Sequence, residues 1–305
     1  MTGQILSSSR RLIGFRGLFR CHMISAEEEK QILSRAYVPE HIVSLMTLVS
    51  GGEPFLIDRY FCCRKGDLVI AVGYPLEKDF QVHDFERALN RIIKAFRPLN
   101  VSLVAPDLPL SFRNSCTERN TDYYYTLDLR AASIPPAARR AVKKAVHGVV
   151  VERARNLGQD HYDLAQEFVD RVDLPGRIIE LLFRMWDYVG GSGDALVLNA
   201  RYPGNKLAAF YVVDLSAKDF STYVIGCHSK KNYVSGASDL LFLEMIRVSM
   251  ELNKAYIHLG LGVNEGIRRF KEKWGGVPSL KYEMCELTIR KPSFLDAIIS
   301  YTMKR

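Results

Sequence analysis

The residues best suited to chemistry lie between positions 259 and 276, in "LGLGVNEGIRRFKEKWGG". Gly260 and Gly262 lack the Cβ that would keep a ligand away from the backbone. Asn264 is a good N-cap for the helix after it, and Glu265 and Arg269 are spaced to pair across one turn of that helix. Ile267, Phe270 and Trp274 share one face, which the spacing predicts to dock on a sheet. Gly275 or Gly276 supplies the positive φ that stops the helix. Lys271 stands on the same helix, and its spacing alone reads as a solvated lysine on an exposed face.

A second candidate is the loop "HSKKNYVSGASD", residues 228–239. Lys230, Lys231, Ser235, Gly236 and Ser238 suit an anion held at the start of a helix, where free N–H groups and the helix dipole favour negative charge. Asp239 opposes this, because it puts a carboxylate in the first turn. The run Arg139, Arg140, Lys143 and Lys144 suits RNA phosphates in a salt-sensitive contact, or equally the solvated face of a linking helix. His228 and His258 are candidate general bases, with a structural role as the alternative. Tyr123, Tyr124 and Tyr125 alternate as in a strand and read as packing.

No metal site is expected. The six cysteines are scattered, and the one adjacent pair, Cys62 and Cys63, points to opposite sides of a strand. Their spacing fits neither a zinc site nor a secreted disulfide framework, so a reducing cytoplasm is the expected compartment. No run of about 18 uncharged apolar residues exists to form a membrane-spanning helix.

The elements that must position these residues fall into two similar units. In the first, "FLIDRYFCCR" and "DLVIAVGYPL" read as two strands joined by a Lys65-Gly66-Asp67 turn. The helix "DFERALNRIIKAF" and the buried strand "VSLVAP" come next. In the second, "DALVLNARYP", "KLAAFYVVDL" and "FSTYVIGCHS" are strands, then "DLLFLEMIRVSMELN" is a helix and "AYIHLGLG" a strand. Between the units a helix capped by Ser133 carries the basic run, Gly148 ends it, and "VVVERA" resumes as a strand.

At 305 residues the chain is long enough for one large or two medium domains. The expected division is 23–132 and 133–305. Residues 1–22 contain Arg10, Arg11, Arg16 and Arg20 and no acid. They read as a basic leader, a membrane-surface helix or an over-long start. Without them 38 basic residues face 34 acidic ones, so the net charge of +8 falls to +4. Ser25 followed by Glu28 is a capping-box signal, so folding is expected to begin at Met23.

An antiparallel meander feeding a helix, a parallel strand and a second helix ended by Gly-Gly resembles the N-acetyltransferase (GNAT) fold. "LGLGVNEGIRRFKEKWGG" and "RRAVKKAVHGVVVERA" resemble the Fem-type aminoacyl transferases and the C-terminal domain of lysylphosphatidylglycerol synthases. The resemblance covers most of residues 55–290, with its specific motifs at about 135–154 and 236–276. It implies an α/β protein of two tandem GNAT-like units, each a mixed, mostly antiparallel sheet flanked by helices. It further implies that "AYIHLG" splays from "FSTYVIG" to admit an acyl donor, either acyl-CoA or aminoacyl-tRNA, and that no cofactor is tightly bound. His228 and His258 would then lie on the two splayed strands, where one could act as a base. Lys271 stands where acetyltransferases carry a tyrosine, and the Fem-type pattern has lysine there. Its ammonium would stabilise an oxyanion or hold a donor phosphate. The loop at 228–239 lacks the arginine or glutamine and spaced glycines of a CoA site. A duplicated module that binds RNA, lipid or protein without chemistry is therefore the rival reading.

Overall fold

The computed structural model describes residues 21–131, 133–172 and 176–290. The first twenty positions of the basic leader, the boundary residue at 132 and the stretch 291–305 lie outside them.

The chain opens with strand β1 (Cys21–Met23) and helix α1 (Ala26–Arg35). Ser25 and Glu28 form the capping box their spacing announces. A correction comes one step earlier. Folding begins before Met23, because β1 pairs with β2 (Glu53–Ile57), and His22 Nε2 lies 2.5 Å from Glu28. A 3₁₀ turn (Pro39–His41) and helix α2 (Val43–Ser50) stand between them.

Strands β3 (Tyr60–Lys65) and β4 (Leu68–Val72) precede helix α3 (Val82–Phe96) and strand β5 (Asn100–Ala105). The short helix α4 (Leu110–Arg113) and the long strand β6 (Glu118–Asp128) come after them. "FLIDRYFCCR" is thus two strands, not one. Asp58 takes a left-handed φ of 55°, and Ile57 pairs with Tyr60 across a two-residue turn. Aspartate tolerates that conformation better than most residues.

Helix α5 (Pro136–Ala145) carries the basic run and leads to β7 (Val150–Ala154). Ser133 does not cap α5. The helix starts three residues later because Pro136, with its fixed φ and missing N–H, occupies the first helical position. Helices α6 (Gln159–Arg171), α7 (Gly176–Phe183) and α8 (Met185–Gly191) precede β8 (Ala195–Arg201), β9 (Leu207–Asp214) and β10 (Phe220–His228). Helix α9 (Ala237–Glu251), strand β11 (Tyr256–Leu261), helix α10 (Glu265–Lys273) and strand β12 (Val277–Thr288) complete the described chain.

All the strands join one mixed sheet in the order β1-β2-β3-β4-β5-β12-β6-β11-β10-β9-β8-β7. From either edge to the centre the pairings repeat: antiparallel contacts, then one parallel pair (β4 with β5, β10 with β11), then one antiparallel contact. Two separate sheets were expected, and one forms because the last strand of each half crosses over. Strand β12 lies against β5, and β6 lies against β11.

Each face of the sheet carries two apolar clusters. Helices α1, α2, α6 and α8 cover one face, where Ile32, Val43, Phe61 and Met284 form one cluster and Leu164, Met185, Phe210 and Phe220 the other. Helices α3, α5 and α9 cover the opposite face, together with Trp274. Cys62 and Cys63 fall in clusters on opposite faces, as strand alternation requires. Helix α9 is apolar nearly all round because α5 closes its outer side.

Cysteine spacing missed one bond: Cys116 and Cys285 form a disulfide with Cα atoms 5.5 Å apart. The partners are 169 residues apart and meet only because β12 returns to the first half.

Candidate functional site

Strands β10 and β11 pair at three positions, Phe220 with Tyr256, Ser221 with Ile257 and Thr222 with His258. Both strands then continue without pairing, so a wedge opens between residues 223–228 and 259–261. Two irregularities hold it open. A bulge leaves Val224 without a partner on β9, and the β11–β6 register slips between His258 and Leu261, where Gly260 takes a φ of 70°. Bulges bend their strand and re-aim its groups.

Gly260 is needed for that φ, since a Cβ there would find nothing closer than Tyr223 O at 4.0 Å. Gly262 is needed for a different reason from the expected one. A Cβ would lie 2.8 Å from Asp122 Oδ1 and 3.1 Å from the Arg268 side chain, so protein, not ligand, fills the room. Asp122 also accepts from Val263 N at 2.8 Å. Val263 itself is exposed with a φ of 53°, a strained conformation for a β-branched residue. Asn264 caps α10 by accepting from Ile267 N at 2.9 Å, Glu265 pairs with Arg269, and Gly275 at φ 86° ends the helix.

Lys271 is not solvated. It is 4% exposed, its Nζ donates to Leu261 O at 2.5 Å, and it lies 5.6 Å from the Tyr125 ring centre. Burial lowers its pKa to about 8, with Asp122 pulling the other way. The Ile267, Phe270, Trp274 stripe docks only at its end. Trp274 is buried against Phe242 and donates from Nε1 to Asp239 Oδ1 at 2.9 Å, whereas Ile267 is 37% exposed.

The two histidines are not brought together. His258 sits at the apex of the wedge, while His228 lies six residues further along β10, on the order of 20 Å away. His258 Nδ1 accepts from Gly260 N at 3.2 Å, which puts the ring proton on Nε2. Burial, with Lys271 nearby, depresses its pKa to about 3, so it stays neutral and offers a donor rather than a base. His228 is exposed at the strand end, and burial and Arg171 lower its pKa.

The anion loop already holds an anion. Glu167 of α6 accepts from Lys230 N at 2.5 Å, Lys231 N at 3.2 Å and Ser229 Oγ at 2.8 Å. Burial opposes its ionisation, but these donors together leave its pKa below the ordinary range. Gly236 is pressed against α5, where a Cβ would sit 2.2 Å from Ala141 O. Ser238 O accepts from Tyr211 OH at 2.9 Å, and Ser235 is exposed. Asp239 is paired with Lys273 Nζ at 2.5 Å and with Trp274, so its charge is neutralised within the fold. Arg139, Arg140, Lys143 and Lys144 all point to solvent while Ala138 and Ala145 pack inward.

Asp122, Thr222 and Glu167 also shape this region without having been singled out from sequence, and Tyr124, read there as packing, donates to Glu40. Of the three, Asp122 stands beside the tyrosine run. Among the described residues no group of three or more His, Cys, Asp or Glu side chains could hold a metal ion.

No protein-family model matches the chain. No curated protein sequence matches it. Solved structures do, and they establish the fold as GNAT/Fem-like. The C-terminal domain of a putative lysylphosphatidylglycerol synthetase from Agrobacterium fabrum aligns over 92% of this chain and 97% of its own, with a TM-score of 0.56 at 13% identity. FemX aligns over 93% and 100%, with a TM-score of 0.57 at 10% identity. A tandem GNAT protein from the clavulanic acid biosynthesis pathway aligns over 90% and 100%, with a TM-score of 0.54 at 9% identity.

Proposed function

We propose that this chain transfers an acyl or aminoacyl group from an ester or thioester donor to an amine or hydroxyl acceptor, with the acyl group lying in the wedge between β10 and β11. The observation that carries this reading is a buried lysine at the rim of that wedge. Lys271 Nζ is held on Leu261 O, across β11 from Tyr124, where its charge faces developing negative charge at low solvent exposure. Catalysis rests on positioning and on oxyanion stabilisation.

The filled amide nest favours an ester donor such as aminoacyl-tRNA over acyl-CoA. A pyrophosphate would have to displace Glu167 and meet the Ala141 carbonyl. In this reading the exposed Arg139, Arg140, Lys143 and Lys144 contact tRNA, and residues 1–22 touch a membrane surface. The chain is a tandem of two GNAT-like units, 23–132 and 133–305, with the first degenerate and the second at work; the repeated order of pairings supports it. Among the described residues no helix is long and apolar enough to cross a membrane. A cytoplasmic location belongs to the proposal and requires Cys116 and Cys285 to be reduced there.

The same filled nest favours the rival, a binding module without chemistry. Lys271→Met separates the two. The transferase reading expects turnover with aminoacyl-tRNA to fall by on the order of 10² to 10³, the usual loss for one oxyanion donor, with the fold intact. A loss confined to apparent donor affinity would reassign Lys271 to phosphate binding. Unchanged kinetics would remove Lys271 from the chemistry, and a wild type that shows no turnover would leave the binding module as the better account.

A further inference from the structure

The connector between β5 and β6 leaves the sheet at Ala105, paired with Glu283 of β12, and returns at Glu118, paired with Glu286. Strand β12 lies between β5 and β6, so residues 106–117 arch over it. Packing fastens little of this arch. Leu108 is buried and Phe112 half-buried against the α3 cluster, but α4 buries no side chain fully and Leu110 is 72% exposed. The main-chain amides of Phe112, Arg113 and Ser115 donate within the arch, and the first main-chain bond to the sheet comes at Thr117, whose N donates to Glu286 O at 2.8 Å. Among the described residues the hydrogen bond from α4 to another helix is the one that Ser111 Oγ donates to Glu86 Oε1 at the surface.

What fastens the arch is the bond between Cys116 and Cys285. Its two sulfurs are unequally placed: Cys285 is fully buried on β12 beneath the arch, whereas Cys116 is half-buried on the arch itself. A dissolved reagent therefore meets Cys116 first. The other half of the sheet fastens the corresponding segment without sulfur. The chain leaving β11 is held by Trp274, which packs on Phe242 and donates to Asp239. A buried indole holds whatever the redox conditions, and a disulfide does not.

We infer that Cys116 and Cys285 form a reversible thiol-modification site, which a peroxide closes and a small thiol opens, and whose closed state clamps the arch onto β12. The Cys116 thiolate attacks one peroxide oxygen and the O–O bond breaks, so the sulfur loses two electrons and becomes a sulfenic acid. The second oxygen leaves as hydroxide and takes up the proton that the thiol gave off. Cys285 Sγ then attacks Cys116 Sγ, the S–O bond breaks, and the departing hydroxide takes the Cys285 proton to form water. Opening starts at the same accessible sulfur. A small thiolate attacks Cys116 Sγ and releases Cys285, and a second small thiol frees Cys116 as the two leave joined in a disulfide. In a reducing compartment the pair rests as thiols until a peroxide closes it, whereas in an oxidising one it rests closed. The chemistry is independent of acyl transfer in the wedge.

Two measurements on the full chain test this, each after reduction with dithiothreitol and again after stoichiometric hydrogen peroxide. The first is labelling by iodoacetamide in denaturant, which should reach Cys116 and Cys285 in the reduced chain and neither after peroxide. Persistent labelling of both overturns the site, and a Cys116 oxidised beyond the sulfenic acid beside a still-labelled Cys285 overturns Cys285 as its partner. The second is amide hydrogen exchange read by mass spectrometry. Exchange over residues 109–117 should be faster by about tenfold or more in the reduced chain, while exchange over α10 stays the same, as expected for a local opening. Equal rates over 109–117 in both states would mean that the bond clamps nothing, and an equal acceleration over α10 would mean that it acts on the whole fold; either overturns the clamp. Cys116→Ser should show the fast rate under both conditions, and a variant that still slows with peroxide would assign the clamping to another group. The wild-type comparison decides the matter even if the variant fails to fold.

Discussion

The sheet holds two parallel strand pairs, and they behave differently. Strands β4 and β5 stay paired from Leu68–Asn100 to Val72–Val104, and Gly73 N extends the seam by donating to Val104 O at 2.7 Å. Strands β10 and β11 pair at three positions and part. In the closed pair Gly73 is roofed over: a Cβ there would meet Ala105 Cβ at 2.6 Å and the Phe85 ring at 2.7 Å. In the open pair Gly260 faces free space. The segments leaving the two pairs differ too. After β5 come prolines and the four-residue α4, whereas after β11 comes the capped, nine-residue α10 that buries Lys271. One architecture therefore gives a seam in one place and a cleft in the other, and the cleft is where bulge, left-handed glycine and buried cation coincide.

The largest expected effect concerns the anchor of the open side. Trp274→Ala removes a side chain that is 2% exposed and strips Asp239 of one partner, so unfolding free energy should fall by about 3–5 kcal/mol in a denaturant titration. Ile267→Ala, on the same helix but exposed, should change it by less than about 0.5 kcal/mol. A wild-type midpoint for Trp274→Ala would mean that α10 is not anchored by docking at its end.

How far the contrast could be foreseen depends on the range of the signal. Periodicity placed both helices and both parallel strands, and Asn264 and Gly275 announced the ends of α10 because caps are read within four residues. The stripe rule overstated the docking of α10. Only Phe270 and Trp274 reach Phe242, since the helix meets its neighbours at one end and Ile267 stands off. Lysine on a polar helix reads as solvated, and nothing local revealed that Lys271 turns back onto a strand carbonyl ten residues earlier. Glu167 reaches its loop across 62–64 residues and Glu40 reaches Tyr124 across 84, while the disulfide spans 169. Such contacts come from topology, chiefly the crossing of β6 and β12, and leave no pattern in the chain.

The second effect sharpens the contrast by pH. Among the described residues Lys271 has no buried counterpart in the closed half, and its pKa falls from 10.5 to about 8 on folding. Below pH 8 the lysine is charged in both states, so the folded chain bears the whole penalty of burying the charge. Between pH 8 and 10.5 the unfolded chain holds more protons, and stability rises with pH. Lys271→Met lacks this dependence. The wild type should therefore gain on the variant by on the order of 1–3 kcal/mol between pH 7 and pH 10. The raised pKa values of the buried tyrosines cancel in the difference, because both proteins share them. A difference that stays flat across this range would place the ammonium in water.

The smallest effect asks whether the two glycines are needed for different reasons. Gly73→Ala forces a Cβ against Ala105 and Phe85, and overpacking of that kind costs about 1–3 kcal/mol. Gly260→Ala meets no atom but must keep a φ of 70°, a backbone cost of about 1–2 kcal/mol for a residue with a Cβ. The totals overlap, so the deciding measurement is rescue. Trimming Phe85 to Leu should recover part of the loss at Gly73, because the ring makes part of the clash and Ala105 the rest, and a double-mutant cycle would show a coupling of about 0.5 kcal/mol or more. Substituting the nearest residue at Gly260, Tyr223→Phe, should recover nothing, because its contact there is a backbone carbonyl at 4.0 Å and the cost lies in the backbone angle. Rescue at Gly260 would mean that the wedge is packed shut in solution, and the difference between the two strand pairs would then be one of side chains rather than of backbone geometry.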